Sequence, residues 1–162
     1  MVLPFHAILS PVDLDENSLA ALEYAAYFAQ QAKARLYLLY VIPPDELHLL
    51  PELYHRDQSG GADLVWAEKT AKEMLHEIAR ERLNGGIRYE ILTRVGDPAP
   101  MILEVAEDVE ADLIVLTTHG RHGMARFLRG SVAETVVRES VCPVLIIRRR
   151  ERHTGTGVND ER

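Results

Sequence analysis

The sequence predicts an α/β layered domain, a single open five-stranded parallel sheet with helices on both faces. Short apolar runs alternate with stretches of helical period along most of the chain, the pattern of successive strand–helix–strand units with right-handed crossovers. Glycine and proline punctuate the joins, at Pro43-Pro44, Gly85-Gly86, Gly96-Asp97-Pro98 and Pro143. The 162 residues suit one domain with a substantial core, and neither an internal repeat nor a second domain is visible.

A first strand is expected over His6 to Val12, ended by Pro11-Val12-Asp13. Asp15-Glu16-Asn17-Ser18 supplies helix-start residues. Leu19, Leu22, Ala26 and Ala29 mark one face of the following helix, with Ala25 and Phe28 beside them. Arg35 to Ile42, RLYLLYVI, reads as a second strand stopped by two prolines. Residues 45–62 have no clear period and contain Gly60-Gly61; a connection of that length is functional or disordered. Helical period returns from about Asp63 to Leu83, with Ala67, Ala71, Met74, Leu75 and Ile78 on one side, until Gly85-Gly86 ends it.

Ile87 to Val95 is a third strand. Gly96-Asp97-Pro98 then gives a turn, an N-cap and a first-turn proline. The helix to about Glu110 should turn Met101, Ile102, Val105 and Val109 inward. Leu113 to Leu116 is apolar throughout, as in a strand buried on both faces. A helix from Ser131 to about Ser140 and a strand from Pro143 to Ile147 complete a domain of residues 1–149. Residues 150–162 are expected to form a disordered, charged tail.

Net charge is −7, which argues against nucleic acid as the main partner, since that needs a basic stripe. No apolar run approaches the roughly eighteen residues of a membrane span. The N-terminus lacks a charged leader and a cleavage site, and one cysteine, Cys142, excludes an internal disulfide framework. A cytoplasmic protein is expected.

The chemistry concentrates between Thr117 and Val132. Gly120, Gly123 and Gly130 fall within eleven residues, followed by Ser131, which opens a helix with Glu134 at capping-box spacing. Arg121, Arg126 and Arg129 lie on the same stretch with no carboxylate between them. Strand, glycine loop and helix N-terminus together can cradle an anion, because glycines let amides turn inward and the first helical turn leaves donors unpaired. The same glycines also suit plain turn chemistry. Neither the Walker A spacing nor a G-x-G-x-x-G after a strand is present. His119 and His122 lack any cysteine or carboxylate at matching spacing, so they make a poor zinc site and no metal site is assigned.

These segments resemble the universal stress protein family, from about Phe5 to Arg148. ILSPVD, GDPAPMILEVAEDVEADLIVL and THGRHGMARFLRGSVAETVVRESVCPVLII carry the likeness. The family's ATP-binding signature is Gly, two residues, Gly, nine residues, Gly, then Ser or Thr. The nine-residue interval falls between Gly120 and Gly130, with Ser131 next, while Thr117 stands in place of the first glycine. The resemblance implies a Rossmann-like fold, of the adenine nucleotide alpha hydrolase type, and an ATP carried with Mg²⁺ on its phosphates.

The nucleotide would lie at the ends of strands one and four. Pro11, Val12 and Asp13 would run along adenine and ribose, and Val41 would touch adenine. Thr117, His119, Gly120, Arg121, Gly123, Arg129, Gly130, Ser131 and Val132 would surround the phosphates. Thr117 either closes the crevice or supplies a further hydroxyl. The resemblance also implies a homodimer through the last strand, at Val144, Leu145, Ile146 and Ile147. A regulatory or protective stress-response role follows, with a nucleotide-free interaction protein as the alternative. No catalytic residue is assigned, because no nucleophile–base pair supports more than slow ATP hydrolysis.

Overall fold

The computed structural model describes residues 5–14, 16–44, 64–83, 85–117 and 132–148. In chain order these form β1 (Ala7–Pro11), α1 (Glu16–Ala32), β2 (Arg35–Ile42), α2 (Leu64–Arg82) and β3 (Arg88–Val95), then α3 (Pro98–Asp108), β4 (Leu113–Thr117), α4 (Val132–Glu139) and β5 (Val144–Ile147). All neighbouring strands are parallel, in the order β3-β2-β1-β4-β5. The predicted fold class holds, and strand and helix ends fall within a residue or two of expectation. Among the described residues no helix is long and apolar enough to cross a membrane.

Side chains alternate across each strand, and the sheet accordingly separates two cores. On one face Ile8, Val12, Leu36, Leu38, Ile42 and Val115 pack against α1 and α2. On the other, Leu9, Leu39, Val41, Ile114 and Leu116 pack against α3 and α4. The alanines of α1 explain its close seating: Ala21 and Ala25 are fully buried, and a larger side chain there would hold the helix off the sheet. In α3, Ile102 and Val105 are buried as expected, whereas Met101 and Val109 reach only half-burial.

Two helices end in a way that composition conceals. Lys33 (φ 55°) and Glu110 (φ 50°) adopt left-handed backbone. The next amides, of Ala34 and Ala111, donate five residues back to the carbonyls of Ala29 (2.9 Å) and Ala106 (2.8 Å). This is the Schellman closure, usually made with glycine. The Arg88 guanidinium secures the first by donating to the Lys33 carbonyl at 2.7 Å. After the second, Asp112 ties two strands together at once. Its Oδ2 accepts the His6 and Ala7 amides at 2.6 and 3.0 Å, and its own amide donates to the Ala7 carbonyl at 2.8 Å. These bonds set the register in which Ile8 faces Leu113.

At the start of α3, Asp97 holds the extended N-cap backbone before Pro98, but its carboxylate makes no capping bond, contrary to its expected role. Gly96 (φ +155°) does need to be glycine. A Cβ there would stand 3.0 Å from the Met101 side chain, while the Gly96 amide extends the β2–β3 ladder to the Ile42 carbonyl at 3.0 Å.

Candidate functional site: the parting of β1 and β4

The strand order reverses between β1 and β4. From β1 the chain moves outward through β2 to β3, then crosses back to β4 and on to β5 on the other side. Ligands of open α/β sheets bind at such a point, beyond the carboxyl ends of the strands.

The geometry shows why the sheet opens there. β1 pairs with β2 over its whole length, from Ala7↔Arg35 to Pro11↔Leu39. Against β4 it pairs only at Ile8↔Leu113 and Leu9↔Ile114, although β4 continues alongside β5 to Thr117↔Ile147. Backbone groups in a strand point alternately to its two neighbours. The Ala7 carbonyl serves β4's side through Asp112, and the Val12 amide serves β2 through the Leu39 carbonyl at 2.8 Å. Pro11 therefore presents its nitrogen to the β4 side, where it has no hydrogen to donate. The ladder stops for want of a donor. At the base of the split, Ser10 is fully buried and its hydroxyl has no hydrogen-bond partner among the described residues.

Except for Val132, the described residues expected at the nucleotide lie at or near the carboxyl ends of β1, β2 and β4. Pro11, Val12 and Asp13 leave the end of β1, Val41 lies one residue from the end of β2, and Thr117 ends β4. Their side chains do not all face one way. Pro11 alternates with Leu9 and so lies on the α3 side of the sheet, the side to which buried Val41 belongs. The Val12 side chain is instead part of the α1-side core, so only its main chain can serve the crevice. Asp13 is half-buried.

Thr117 is half-buried and lies in extended backbone, paired with Ile147, with no positive φ. Its β-branched side chain therefore costs no backbone strain. Beyond it, His119, Gly120, Arg121, Gly123, Arg129, Gly130 and Ser131 lie outside the described residues, as do the connection expected at 45–62 and the tail at 150–162. The described chain resumes at Val132, 36% exposed, the first residue of α4, with exposed Glu134 in its first turn.

Two features of the site carried no sequence signal. Ser18, one of a run of helix-start residues, is buried and its Oγ accepts the Asp13 amide at 3.2 Å. Leu14 adopts left-handed backbone (φ 66°), which costs a non-glycine residue about 1–2 kcal/mol. A pattern of residue types gives no hint that a leucine will take that conformation.

Comparison with known proteins bears on the same stretch of chain. A model of the universal stress protein family matches residues 4–148. A universal stress protein of Methanocaldococcus jannaschii is 31% identical over 147 residues, covering 90% of this chain and 83% of that one. The solved structure of MJ0577, from the same organism, superposes with a TM-score of 0.72 at 28% identity, over 92% of this chain and 99% of the other. The universal stress protein of Archaeoglobus fulgidus, solved in complex with dAMP, has a TM-score of 0.60 at 23% identity, over 90% of this chain and 100% of that one.

Proposed function

Because the chain belongs to the universal stress protein family, we propose that it binds ATP in the crevice between β1 and β4. In this role it acts as a regulatory or protective module of a stress response. The observation that carries the reading is that β1 stops pairing with β4 after Leu9, two residues before its end and just ahead of the half-buried Asp13, at the reversal of strand order. A carboxylate suits the ribose end, because it accepts from both sugar hydroxyls. The apolar strip of Pro11 and Val41 suits the flat face of adenine. Gly120, Gly130, Ser131 and the loop arginines are assigned to the triphosphate on the sequence signature alone. That an A. fulgidus relative of this fold was solved with dAMP supports an adenine nucleotide as the ligand class.

Among the described residues no three histidine, cysteine or acidic side chains gather to hold a metal. Mg²⁺ fits this donor set as an ion carried on the phosphates, since it keeps most of its waters and takes few protein ligands. Bound there, it would neutralise adjacent phosphate charge in a protein whose net charge is −7.

A thermal-shift series with ATP, ADP, AMP and GTP, with and without Mg²⁺, tests the reading. ATP at a hundredfold its dissociation constant should add about 2.7 kcal/mol of stability. An unchanged midpoint at millimolar ATP would favour the second reading, a nucleotide-free interaction protein. That reading draws on Thr117, which puts a side chain where the ATP-binding signature has none.

The partner proposed under either reading is a second copy of the chain. β5 is the last strand in the sheet order, and Val144, Leu145, Ile146 and Ile147 are all only half-buried. A short apolar edge strand invites pairing or cover. Sedimentation equilibrium at micromolar concentration should give twice the chain mass, and Ile146→Lys should give the monomer. A monomeric wild type would remove the dimer from the proposal.

A further inference from the structure

The chain leaves β1 through a turn that is fixed at three successive residues. The Val12 amide is bonded to the Leu39 carbonyl at 2.8 Å, which anchors the turn to β2. The Asp13 amide donates to Ser18 Oγ at 3.2 Å. Leu14 holds φ at 66° while its side chain packs against the α1-side core. A left-handed leucine persists only where its surroundings over-determine it, and such residues gather at sites whose geometry must be set before a ligand arrives. Among those surroundings are the Val12 anchor, the Leu14 packing and the Ser18 hydroxyl.

Ser18 is the third residue of α1 and 3% exposed, a buried polar side chain followed by buried Leu19. Serine in a first turn ordinarily caps its own helix. This one reaches back five residues to the turn before it. Without that acceptor the Asp13 amide would lose this bond, and one restraint on the unfavourable φ of Leu14, and so on the placing of Asp13, would go.

We propose that Ser18 is a positioning residue for nucleotide binding, one that holds Asp13 at the mouth of the β1–β4 crevice ready for the nucleoside. The inference rests on the nucleotide reading above and names the part of the ligand that Ser18 governs. Ser18 does not touch the nucleotide. It sets the main chain from which the Asp13 carboxylate projects, so its loss should be felt at the nucleoside end and not at the phosphates.

Calorimetric titration of wild type, Ser18→Ala and Ser18→Thr with ATP, adenosine and inorganic tripolyphosphate tests this. Ser18→Ala should weaken ATP and adenosine by the same factor, about five- to tenfold, the worth of one net hydrogen bond. Tripolyphosphate binding should match wild type, and Ser18→Thr should restore the affinity for ATP. Unchanged ATP affinity in Ser18→Ala, or an equal loss for tripolyphosphate, would overturn the positioning role. If the wild type binds no adenine nucleotide, the nucleotide reading fails and this inference goes with it. Amide hydrogen exchange on the wild type gives a check that needs no variant. The Asp13 amide should be protected without ligand and more so with ATP, and solvent-like exchange in both states would overturn the latch.

Discussion

Leu38→Ala should lower the stability of the domain by about 2–5 kcal/mol, the range for truncating a fully buried leucine. For a domain of this size that corresponds to roughly 4–20 °C in the thermal midpoint. Leu38 lies in β2 with Ser10 of β1 on one side and Ile91 of β3 on the other, and no part of it is exposed. It faces the core shared by α1 and α2. Strands on both flanks limit how far the backbone can move inward to fill the space, so most of the cavity should remain. Val141→Ala is the matched control. Val141 is 83% exposed, just ahead of β5, and its truncation should change stability by no more than about 0.5 kcal/mol. Differential scanning calorimetry of the two variants checks both values. A loss under 1 kcal/mol for Leu38→Ala would mean that the flanking strands do move in to fill the cavity.

The inner strands β2 and β4 were legible in the residues because a strand buried on both faces needs continuous apolar sequence. RLYLLYVI and LIVL satisfy this without ambiguity. The alternation of runs and helical stretches then fixed the fold class. Where strands one and four sit depended on strand order, which no single stretch encodes, and their adjacency emerges only in the sheet. The helix ends at Lys33 and Glu110 were blurred for a different reason. Sequence signals for a left-handed terminus rely on glycine or asparagine, and here a lysine and a glutamate take the conformation, closed by local backbone bonds and, at Lys33, secured by Arg88. The cap expected of Asp97 shows the converse: the residue type was right and the backbone obeys, yet the side chain makes no bond.

The site divides along the same line. Pro11 was visible as a strand terminator, but its effect on the β1–β4 ladder follows from which neighbour its nitrogen faces, a matter of register. Val12 was placed along adenine and ribose by the family resemblance. The two-residue period of a strand turns its side chain into the core, which leaves its main chain at the end of β1. Ser18 was one of four helix-start residues with nothing to single it out. A buried bond to a residue five positions back has no periodic signature.

Asp13→Ala should weaken ATP binding by roughly 10- to 150-fold, corresponding to the 1.5–3 kcal/mol of hydrogen bonds made to a charged group. The sign of this change locates the carboxylate more sharply than its size. If Asp13 receives the ribose hydroxyls, ATP, ADP and AMP should all lose affinity by one common factor, since the lost bonds do not involve the phosphates. If instead it stands near the triphosphate, its negative charge opposes the ligand. Removal would then strengthen binding, most for ATP and least for AMP, and increasingly so at low ionic strength, where surface charges are screened least. Asp13→Asn separates charge from hydrogen bonding, because the amide oxygen still accepts but carries no charge. It should recover part of the loss under the ribose assignment and behave like the alanine variant under the phosphate one. Titration of the three proteins with the three nucleotides at two salt concentrations decides between these patterns. A gain in ATP affinity for Asp13→Ala would remove this residue from the nucleoside end and reverse the direction in which the nucleotide lies across the parted strands.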